Sequence, residues 1–312
     1  MQKGERVPKR MSLIDFSEKF ATEELCVADL WERRTKDGFL CPKCGHIDGY
    51  KIKSRKVWEC KNCKHHTSVL LGTVFENSKL DIRKWYWAAF LMISSKAGIS
   101  AKELQSQIGV TYKTAWYVGR RLREVMRLAN DKYVLCGTVT MDEAYFTGRD
   151  NTDETPKKRG RGTNKSKVIV SVSLTEDGNP KYVHMEVIDN FRAKTIEKFA
   201  EKHIEKGAKI ITDGFKSYKS QNIKKDYFVD FDMVPADSED SKLKWLHTLI
   251  SNAKAFVLGT FHGLKKQDLQ LYLDEFCYRF NRRYIPHLAF DKLINSAIIT
   301  PTIGYYKVDF LQ

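Results

Sequence analysis

Four cysteines form two matching pairs, Cys41-Pro-Lys-Cys44 and Cys60-Lys-Asn-Cys63, with fifteen residues between the pairs. Two residues between thiolates allow a tight turn in which both sulfurs face one point, and two such turns can complete a tetrahedron around zinc. Gly45, directly after the first pair, suits the positive φ that this turn requires. The spacing therefore predicts a zinc site with these four cysteines as ligands. Because four thiolates leave no open coordination position, we expect the zinc to be structural.

Two aspartates each follow an apolar segment, Asp142 after residues 139–141 and Asp213 after residues 210–212. Carboxylates at the ends of neighbouring strands can converge on two divalent cations, which would hold the attacking and leaving oxygens of a phosphodiester. Oxygen ligands of this kind suit Mg²⁺. An aspartate at a strand end is also a common turn former, and the glycine after Asp213 fits that role. The spacing alone leaves both interpretations open.

Hydrophobic patterning divides the chain into segments that would position these residues. The predicted segments are a helical lead-in (1–37), a zinc ribbon (38–75), a helix-turn-helix segment (76–132), a strand-rich domain (133–290) and a C-terminal tail (291–312). Within the strand-rich domain, the pattern predicts strands at 133–139, 167–174, 182–188 and 208–212, and helices at 191–206 and from about residue 241.

The segment around Gly109 has the features of a helix-turn-helix. Ser100 and Glu103 predict a capping box at the start of the first helix, and Thr111 can cap the second. The second helix carries side chains that could contact phosphates and bases, namely Lys113, Arg120, Arg121 and Arg123. A helical hairpin with a solvated basic face would show the same pattern.

The net charge of +15 and the pI near 9.3 indicate a polyanionic partner. Residues 1–132 carry 26 Lys and Arg against 15 Asp and Glu, so most of the excess lies in the part with the paired cysteines and the predicted helix-turn-helix. This distribution favours nucleic acid over a membrane surface. No apolar run approaches the ~18 residues of a membrane span, and no secretory signal is visible. We expect a soluble, cytoplasmic protein that binds DNA.

The order of paired cysteines, helix-turn-helix and separated aspartates resembles the Merlin-type bacterial insertion-sequence transposases, within the broad DDE transposase and retroviral-integrase superfamily. The matching motifs are Met141-Asp-Glu-Ala-Tyr-Phe146, Thr212-Asp-Gly-Phe-Lys-Ser-Tyr218, Gly259-Thr-Phe-His262, Tyr272-Leu-Asp-Glu-Phe276 and Arg279-Phe-Asn-Arg-Arg283. The resemblance implies an α/β (α+β) fold whose last domain is RNase H-like, with a mixed sheet flanked by helices.

The resemblance also suggests a third site residue. Such enzymes usually place a Glu on a helix, seven residues before a Lys and shortly before the Gly-Thr-aromatic-His stretch. Alignment on Gly259-Thr-Phe-His262 makes Lys254 this lysine and puts His247 in the place of the acid. Asn252 is the competing candidate for the third ligand. A histidine here predicts either a preference for Mn²⁺ or the loss of activity, because imidazole binds Mg²⁺ poorly.

The implied function is a DNA transposase that binds terminal inverted repeats in double-stranded DNA, hydrolyses the phosphodiester with Mg²⁺ or Mn²⁺ and transfers the strand to a target. Asp142, Asp213 and His247 would hold the ions, and Lys254 would orient a phosphate. The remaining predicted DNA contacts are Lys157, Lys158, Arg159, Arg161, Arg282 and Arg283. A homodimer or larger assembly on DNA and a bacterial, nucleoid-associated location are expected. Two alternatives remain: a DNA-binding regulator with an inactive RNase H-like domain, and a metal-dependent nuclease without strand transfer.

Overall fold

The structure is a computed structural model and describes residues 10–146, 165–213, 215–233, 238 and 241–301. The chain folds into two compact units, one formed by residues up to 125 and from 285 onward, the other by residues 126–284. In the described part of the chain, none of the helices combines the length and the apolar character that crossing a membrane would need.

The described residues form ten α-helices and eight strands. In chain order they are α1 (Leu13–Lys19), α2 (Glu23–Arg34), β1 (Gly49–Ile52), β2 (Val57–Cys60), β3 (His66–Ser68), α3 (Ile82–Ser94), α4 (Ala101–Ile108), α5 (Tyr112–Asn130), β4 (Thr138–Phe146), β5 (Ser166–Leu174), β6 (Pro180–Ile188), α6 (Ala193–His203), β7 (Lys209–Thr212), α7 (Gln221–Asp226), β8 (Phe228–Phe231), α8 (Lys244–Thr260), α9 (Leu269–Phe280) and α10 (Ala289–Ile299).

The helices of the first unit pack through a cluster of aromatic rings. Phe16 of α1 stacks on Phe90 of α3 with ring centroids 4.1 Å apart, and Phe290 of α10 packs edge-on against Phe16 at 5.2 Å. Residues 291–312 are predicted from the sequence to form a C-terminal tail. In the structure, residues up to Ile299 belong to α10. The reason is periodicity: Phe290, Leu293, Ile294 and Ala297 recur at helical spacing and are all buried.

The segment after α2 forms a three-stranded antiparallel sheet in the order β1–β2–β3. Its central strand carries Trp58, whose ring lies 4.6 Å from Phe39 and 5.6 Å from Trp31 of α2. These rings supply most of the apolar packing on one face of a sheet that is otherwise only half-buried.

The two helices predicted on either side of Gly109 are present as α4 and α5, and whether they act as a helix-turn-helix remains a prediction. The Ser100 hydroxyl accepts a hydrogen bond from the Glu103 N–H at 3.1 Å, so the predicted cap of α4 is confirmed. The second hydrogen bond of the predicted capping box, from the Ser100 N–H to the Glu103 side chain, is wrong. The Glu103 carboxylate instead accepts from the Gln107 amide at 2.6 Å. Thr111 caps α5 by accepting from the Thr114 N–H at 3.3 Å.

The second unit contains a five-stranded sheet in the order β6–β5–β4–β7–β8. Strands β6, β5 and β4 are antiparallel neighbours, whereas β7 and β8 run parallel to β4. This is the RNase H-like mixed sheet that the resemblance implied. The strands predicted at 167–174, 182–188 and 208–212 are confirmed within two residues.

The strand predicted at 133–139 is wrong in its position. Gly137 has a φ of +73°, which interrupts the extended backbone, and β4 begins at Thr138. It then continues to Phe146 because Ala144 and Phe146 keep alternate side chains buried. Strand β8 was not predicted.

Both faces of this sheet are covered, so that the second unit has three layers. On one face, α8 and α9 bury Leu246, Leu273 and other apolar side chains against Val170. On the other face, Phe199 of α6 and Ile223 of α7 pack against Met141 and its neighbours. The helix predicted at 191–206 is observed as α6, and the helix predicted from about residue 241 is α8.

The outer edge of β6 is closed by side chains of α9. The Asn281 amide accepts from the Val183 N–H at 2.8 Å and donates to the Val183 carbonyl at 3.1 Å. The Gln270 amide likewise accepts from the Val187 N–H at 2.7 Å and donates to the Met185 carbonyl at 3.0 Å. These bonds satisfy backbone groups that an edge strand would otherwise leave unpaired.

A buried histidine pair lies where β6 meets α6. The His184 and His203 rings are tilted with centroids 4.4 Å apart, and the His184 Nε2 lies 2.8 Å from the Tyr133 carbonyl oxygen. Burial, together with the charge of His203, lowers the pKa of His184 to about 4, while the Tyr133 carbonyl opposes this effect. His184 is therefore neutral in the folded protein near pH 7.

This pair makes the stability of the second unit depend on pH. Because the pKa of His184 is lower in the folded chain than its ordinary 6.5, the unfolded chain binds the extra proton. We expect His184 to contribute a loss of unfolding free energy on the order of 3 kcal/mol as the pH falls from 6.5 to 4. Urea unfolding at several pH values would measure this loss, and His184→Gln should flatten it, whereas His262→Gln at an exposed position should not. Identical pH profiles for wild type and His184→Gln would contradict the assignment.

Candidate functional site

The four paired cysteines converge in the first unit. Their sulfur atoms lie within 4.8 Å of one another, with Cys41 Sγ 3.6 Å from Cys63 Sγ and Cys44 Sγ 3.6 Å from Cys60 Sγ. Four sulfurs at about 2.3 Å from a tetrahedral zinc would be roughly 3.8 Å apart. The cluster therefore has the size and the donor chemistry that zinc requires.

Each cysteine pair sits on the same backbone turn. The Cys41 N–H donates to the His46 carbonyl and the Cys60 N–H donates to the His65 carbonyl, both at 2.9 Å. Gly45 has the predicted positive φ of +69°, and Lys64 takes the equivalent place in the second turn with a φ of +56°. The second turn thus adopts this geometry without a glycine.

The two aspartates lie on neighbouring parallel strands. In the pairing of β4 with β7, Thr140 lies opposite Ile211, and Asp142 and Asp213 each come two residues later. Because side chains alternate along a strand, both aspartates belong to the face of the sheet that carries Thr140 and Ile211. Asp142 was expected just after a strand but lies inside β4, whereas Asp213 directly follows β7.

The two carboxylates differ in their surroundings. Asp142 is largely buried, with an exposed side-chain fraction of 14%, and its Oδ1 accepts from the Glu143 N–H at 2.7 Å. Asp213 is exposed, and its Oδ1 accepts from the Phe215 N–H at 3.0 Å in a short turn. Burial raises the pKa of Asp142, and the negative charge of Asp213 raises it further. The Glu143 N–H, His247 and Lys254 act in the opposite direction.

Helix α8 brings His247 to the aspartates. The His247 Nδ1 lies 3.7 Å from the Asp142 Oδ2, and Lys254, two helical turns further on, has its Nζ 6.0 Å from the Phe146 ring centroid. Asn252, the other candidate for the third position, is exposed and lies about 140° around the helix from His247. Among the three predicted residues of α8, the geometry thus favours His247 and Lys254.

Two further residues, which follow β8 and β7, were not predicted as part of the site. Asp232 follows β8, and its Oδ2 accepts from the Ser241 hydroxyl at 3.1 Å and the Lys242 N–H at 2.7 Å, which fixes the approach to α8. The sequence feature that could have identified Asp232 is its position directly after a third short strand. Tyr218 is the last residue of the motif that begins at Thr212, and it is completely buried.

Several of the arginines predicted to contact DNA are buried instead. The Arg121 side chain pairs with Glu124 at 2.6 Å and with the Tyr117 hydroxyl at 3.1 Å, and Arg123 is only 5% exposed. Neither guanidinium faces solvent in this structure, because α5 is covered by other parts of the chain on more than one of its sides. Lys113 is exposed and Arg120 is half-buried, so these two remain predictions.

The predicted contacts from the end of α9 also have structural partners. Arg282 is buried with its guanidinium 3.5 Å from the Tyr278 ring centroid. Arg283 donates to the Lys181 carbonyl at 3.0 Å and to the Pro180 carbonyl, which ties α9 to the start of β6. Lys157, Lys158, Arg159 and Arg161 lie outside the described residues.

Comparison with known families identifies the class of the protein. Residues 134–281 match the ISXO2-like transposase domain, and residues 21–66 match the transposase zinc-ribbon domain. Two segments of the chain are thus similar to two transposase domains, which agrees with the resemblance seen in the sequence.

A relative supports the same class. An uncharacterized protein in the transposable element ISH50 of Halobacterium salinarum is 26% identical over 276 residues, which cover 83% of this chain and 91% of that protein. Among solved structures, the pre-cleavage Mos1 transpososome is 11% identical over 69% of this chain and 78% of that chain, with a TM-score of 0.29. The catalytic domain of Mos1 mariner transposase is 13% identical over 60% and 95%, with a TM-score of 0.26. Scores this low describe only a loose likeness of the backbones.

The cysteine cluster predicts the metal content of the protein. We expect the purified chain to contain one zinc ion and Cys41→Ser to lose most of it, because a ribbon this small depends on the metal for its fold. Atomic emission on the full-length chain would measure the zinc, with Cys136→Ser as the control, since Cys136 is exposed and outside the cluster. A full complement of zinc in Cys41→Ser would contradict the assignment.

Proposed function

We propose that this transposase cuts double-stranded DNA at transposon ends with divalent cations held by Asp142, Asp213 and His247, and then joins the freed 3′ end to a target. The observation that supports the proposal is that these three side chains come from neighbouring elements of the second unit. Asp142 and Asp213 follow the same paired residues of β4 and β7, and His247 of α8 lies 3.7 Å from Asp142.

The residues fit a cation site in their chemistry. One oxygen of Asp142 is held by the Glu143 N–H, which leaves Oδ2 on the side of His247. The repulsion between the two carboxylates, which contributes to the raised pKa of Asp142, is a cost that a bound cation would remove. When bound, divalent ions would polarise the phosphodiester and lower the pKa of an attacking water.

The other groups position the DNA and the reacting oxygens. Hydrolysis would break the P–O3′ bond at the transposon end, leaving a 3′-hydroxyl and a 5′-phosphate. The 3′-hydroxyl would then attack a target phosphodiester, breaking the target P–O3′ bond and releasing a target 3′-hydroxyl. Lys254, as a positive charge beside Asp142, would orient a nearby phosphate. The zinc ribbon and the exposed start of α5 with Lys113 would grip the end sequence. Because two ends are cut, at least two copies are expected on the DNA.

The aspartates provide the direct test. Asp142→Asn and Asp213→Asn should each lower cleavage of an end-sequence duplex by roughly two to three orders of magnitude, because a metal site supplies several kcal/mol of transition-state stabilisation. Binding of the duplex without divalent metal should be unchanged. Asp177→Asn, in the exposed turn between β5 and β6, is the matched control. Normal cutting by either site variant would refute the proposed site.

The identity of the third ligand has a separate test. We expect His247→Ala to lose cleavage and Asn252→Ala to keep it, while His247→Glu should shift the preferred metal from Mn²⁺ towards Mg²⁺, because a carboxylate is the better ligand for Mg²⁺. Cleavage measured over a series of Mg²⁺ and Mn²⁺ concentrations would distinguish the three variants. Loss of activity in Asn252→Ala with full activity in His247→Ala would reverse the assignment.

The histidine also favours a second candidate function. A DNA-binding regulator with an inactive RNase H-like domain would retain the fold and the ribbon while tolerating His247 in the place of an acid. Incubation of the wild-type chain with Mn²⁺, an end-sequence duplex and a supercoiled plasmid separates the candidates. Binding without cleavage indicates the regulator, cleavage without joined product indicates a nuclease, and joined product indicates the transposase.

A further inference from the structure

Tyr218 is completely buried next to the strand ends that carry the two aspartates. It lies in a short 3-10 turn, Lys216–Lys219, that follows Asp213. Its ring packs with Met141 of β4 and Ile210 of β7, on the face of the sheet opposite to Ala144 and Ile211. The proposed ligands and Tyr218 therefore lie on the two sides of the same pair of strands.

The hydroxyl of Tyr218 is not explained by packing. It lies beside the Thr212 hydroxyl, and neither hydroxyl makes a hydrogen bond of normal geometry to the part of the chain that the structure describes. A buried hydroxyl that lacks a good partner destabilises a fold. A phenylalanine would fill the same space without this penalty, so the hydroxyl calls for a different role.

The surroundings of the hydroxyl are strongly negative. Burial raises the pKa of Tyr218 well above its ordinary value, and the charges of Glu143, Asp142 and Asp213 raise it further. The phenol is consequently neutral and keeps its proton.

We propose that Tyr218 is a positioning residue for the divalent-cation site, acting through the end of β7 that presents Asp213 and through the adjacent strand β4 that carries Asp142. Thr212 immediately precedes Asp213, so the neighbouring hydroxyls of Tyr218 and Thr212 lie at the end of β7 from which that carboxylate projects. This inference rests on the proposed function, because it assumes that the aspartates bind a cation. Under this inference, the affinity of the site for the cation depends on Tyr218, a side chain that does not contact the cation.

Direct measurement of Mn²⁺ binding tests the inference without relying on activity. Isothermal titration of Mn²⁺ into the full-length, zinc-loaded chain at fixed pH, without DNA, should give roughly 10-fold weaker binding for Tyr218→Phe, the range typical of groups that orient metal ligands. Thr212→Val should weaken binding in the same direction, and Thr212→Ser, which keeps the hydroxyl, should restore it. Thermal unfolding of Tyr218→Phe should be no lower than that of the wild type.

The matched control is Tyr227→Phe. Tyr227 belongs to the same buried cluster, but its hydroxyl donates to the Ile204 carbonyl at 3.4 Å, so its removal should leave Mn²⁺ binding unchanged. Equal Mn²⁺ affinity in wild type and Tyr218→Phe would overturn the inference and leave the proposed function standing. Weaker binding accompanied by a lower unfolding temperature would point to packing and overturn it too. Unchanged Mn²⁺ affinity in Asp142→Asn would remove the proposed function and this inference together.

Discussion

The repulsion between two carboxylates on neighbouring strands in the interior of the large sheet is the constraint on which the proposed site depends. Asp142 and Asp213 are placed there by the parallel pairing of β4 with β7, and burial makes the negative charge of Asp142 costly. The groups nearest to it, namely the Glu143 N–H, His247 and Lys254, all favour the charged form. The local structure thus partly compensates a charge that a cation would neutralise fully.

The cysteine cluster and the proposed carboxylate site are built on different principles. The cysteine cluster comes from two short turns that are close in sequence, and each turn is fixed by its own backbone hydrogen bonds. The carboxylate site needs β4, β7 and α8, which are far apart in the chain, and so it exists only once the sheet has formed. For this reason Asp232 matters although it is not itself a proposed ligand: it links the end of β8 to the residues just before α8.

Local signals in the sequence were sufficient to predict most of the helices and strands and the cysteine cluster. The spacing of Cys41, Cys44, Cys60 and Cys63 determines their geometry almost alone, and three strands of the large sheet follow from alternation. The start of β4 was misplaced because an apolar run hides the break at Gly137. The burial of Arg121 and Arg282 could not be foreseen either, since it depends on partners such as Glu124 and the Tyr278 ring rather than on the charge of the residue. The contact of His247 with Asp142 is a tertiary feature that only the fold reveals.

The amide side chains on α9 have an effect beyond satisfying individual bonds. Gln270 and Asn281 occupy the donors and acceptors along the free side of β6, much as an additional strand would. A chain expected to gather several copies on one DNA molecule would otherwise present an open strand to its neighbours at high local concentration. With that side blocked, copies cannot join through β6 into continuous sheets, and assembly is left to other surfaces.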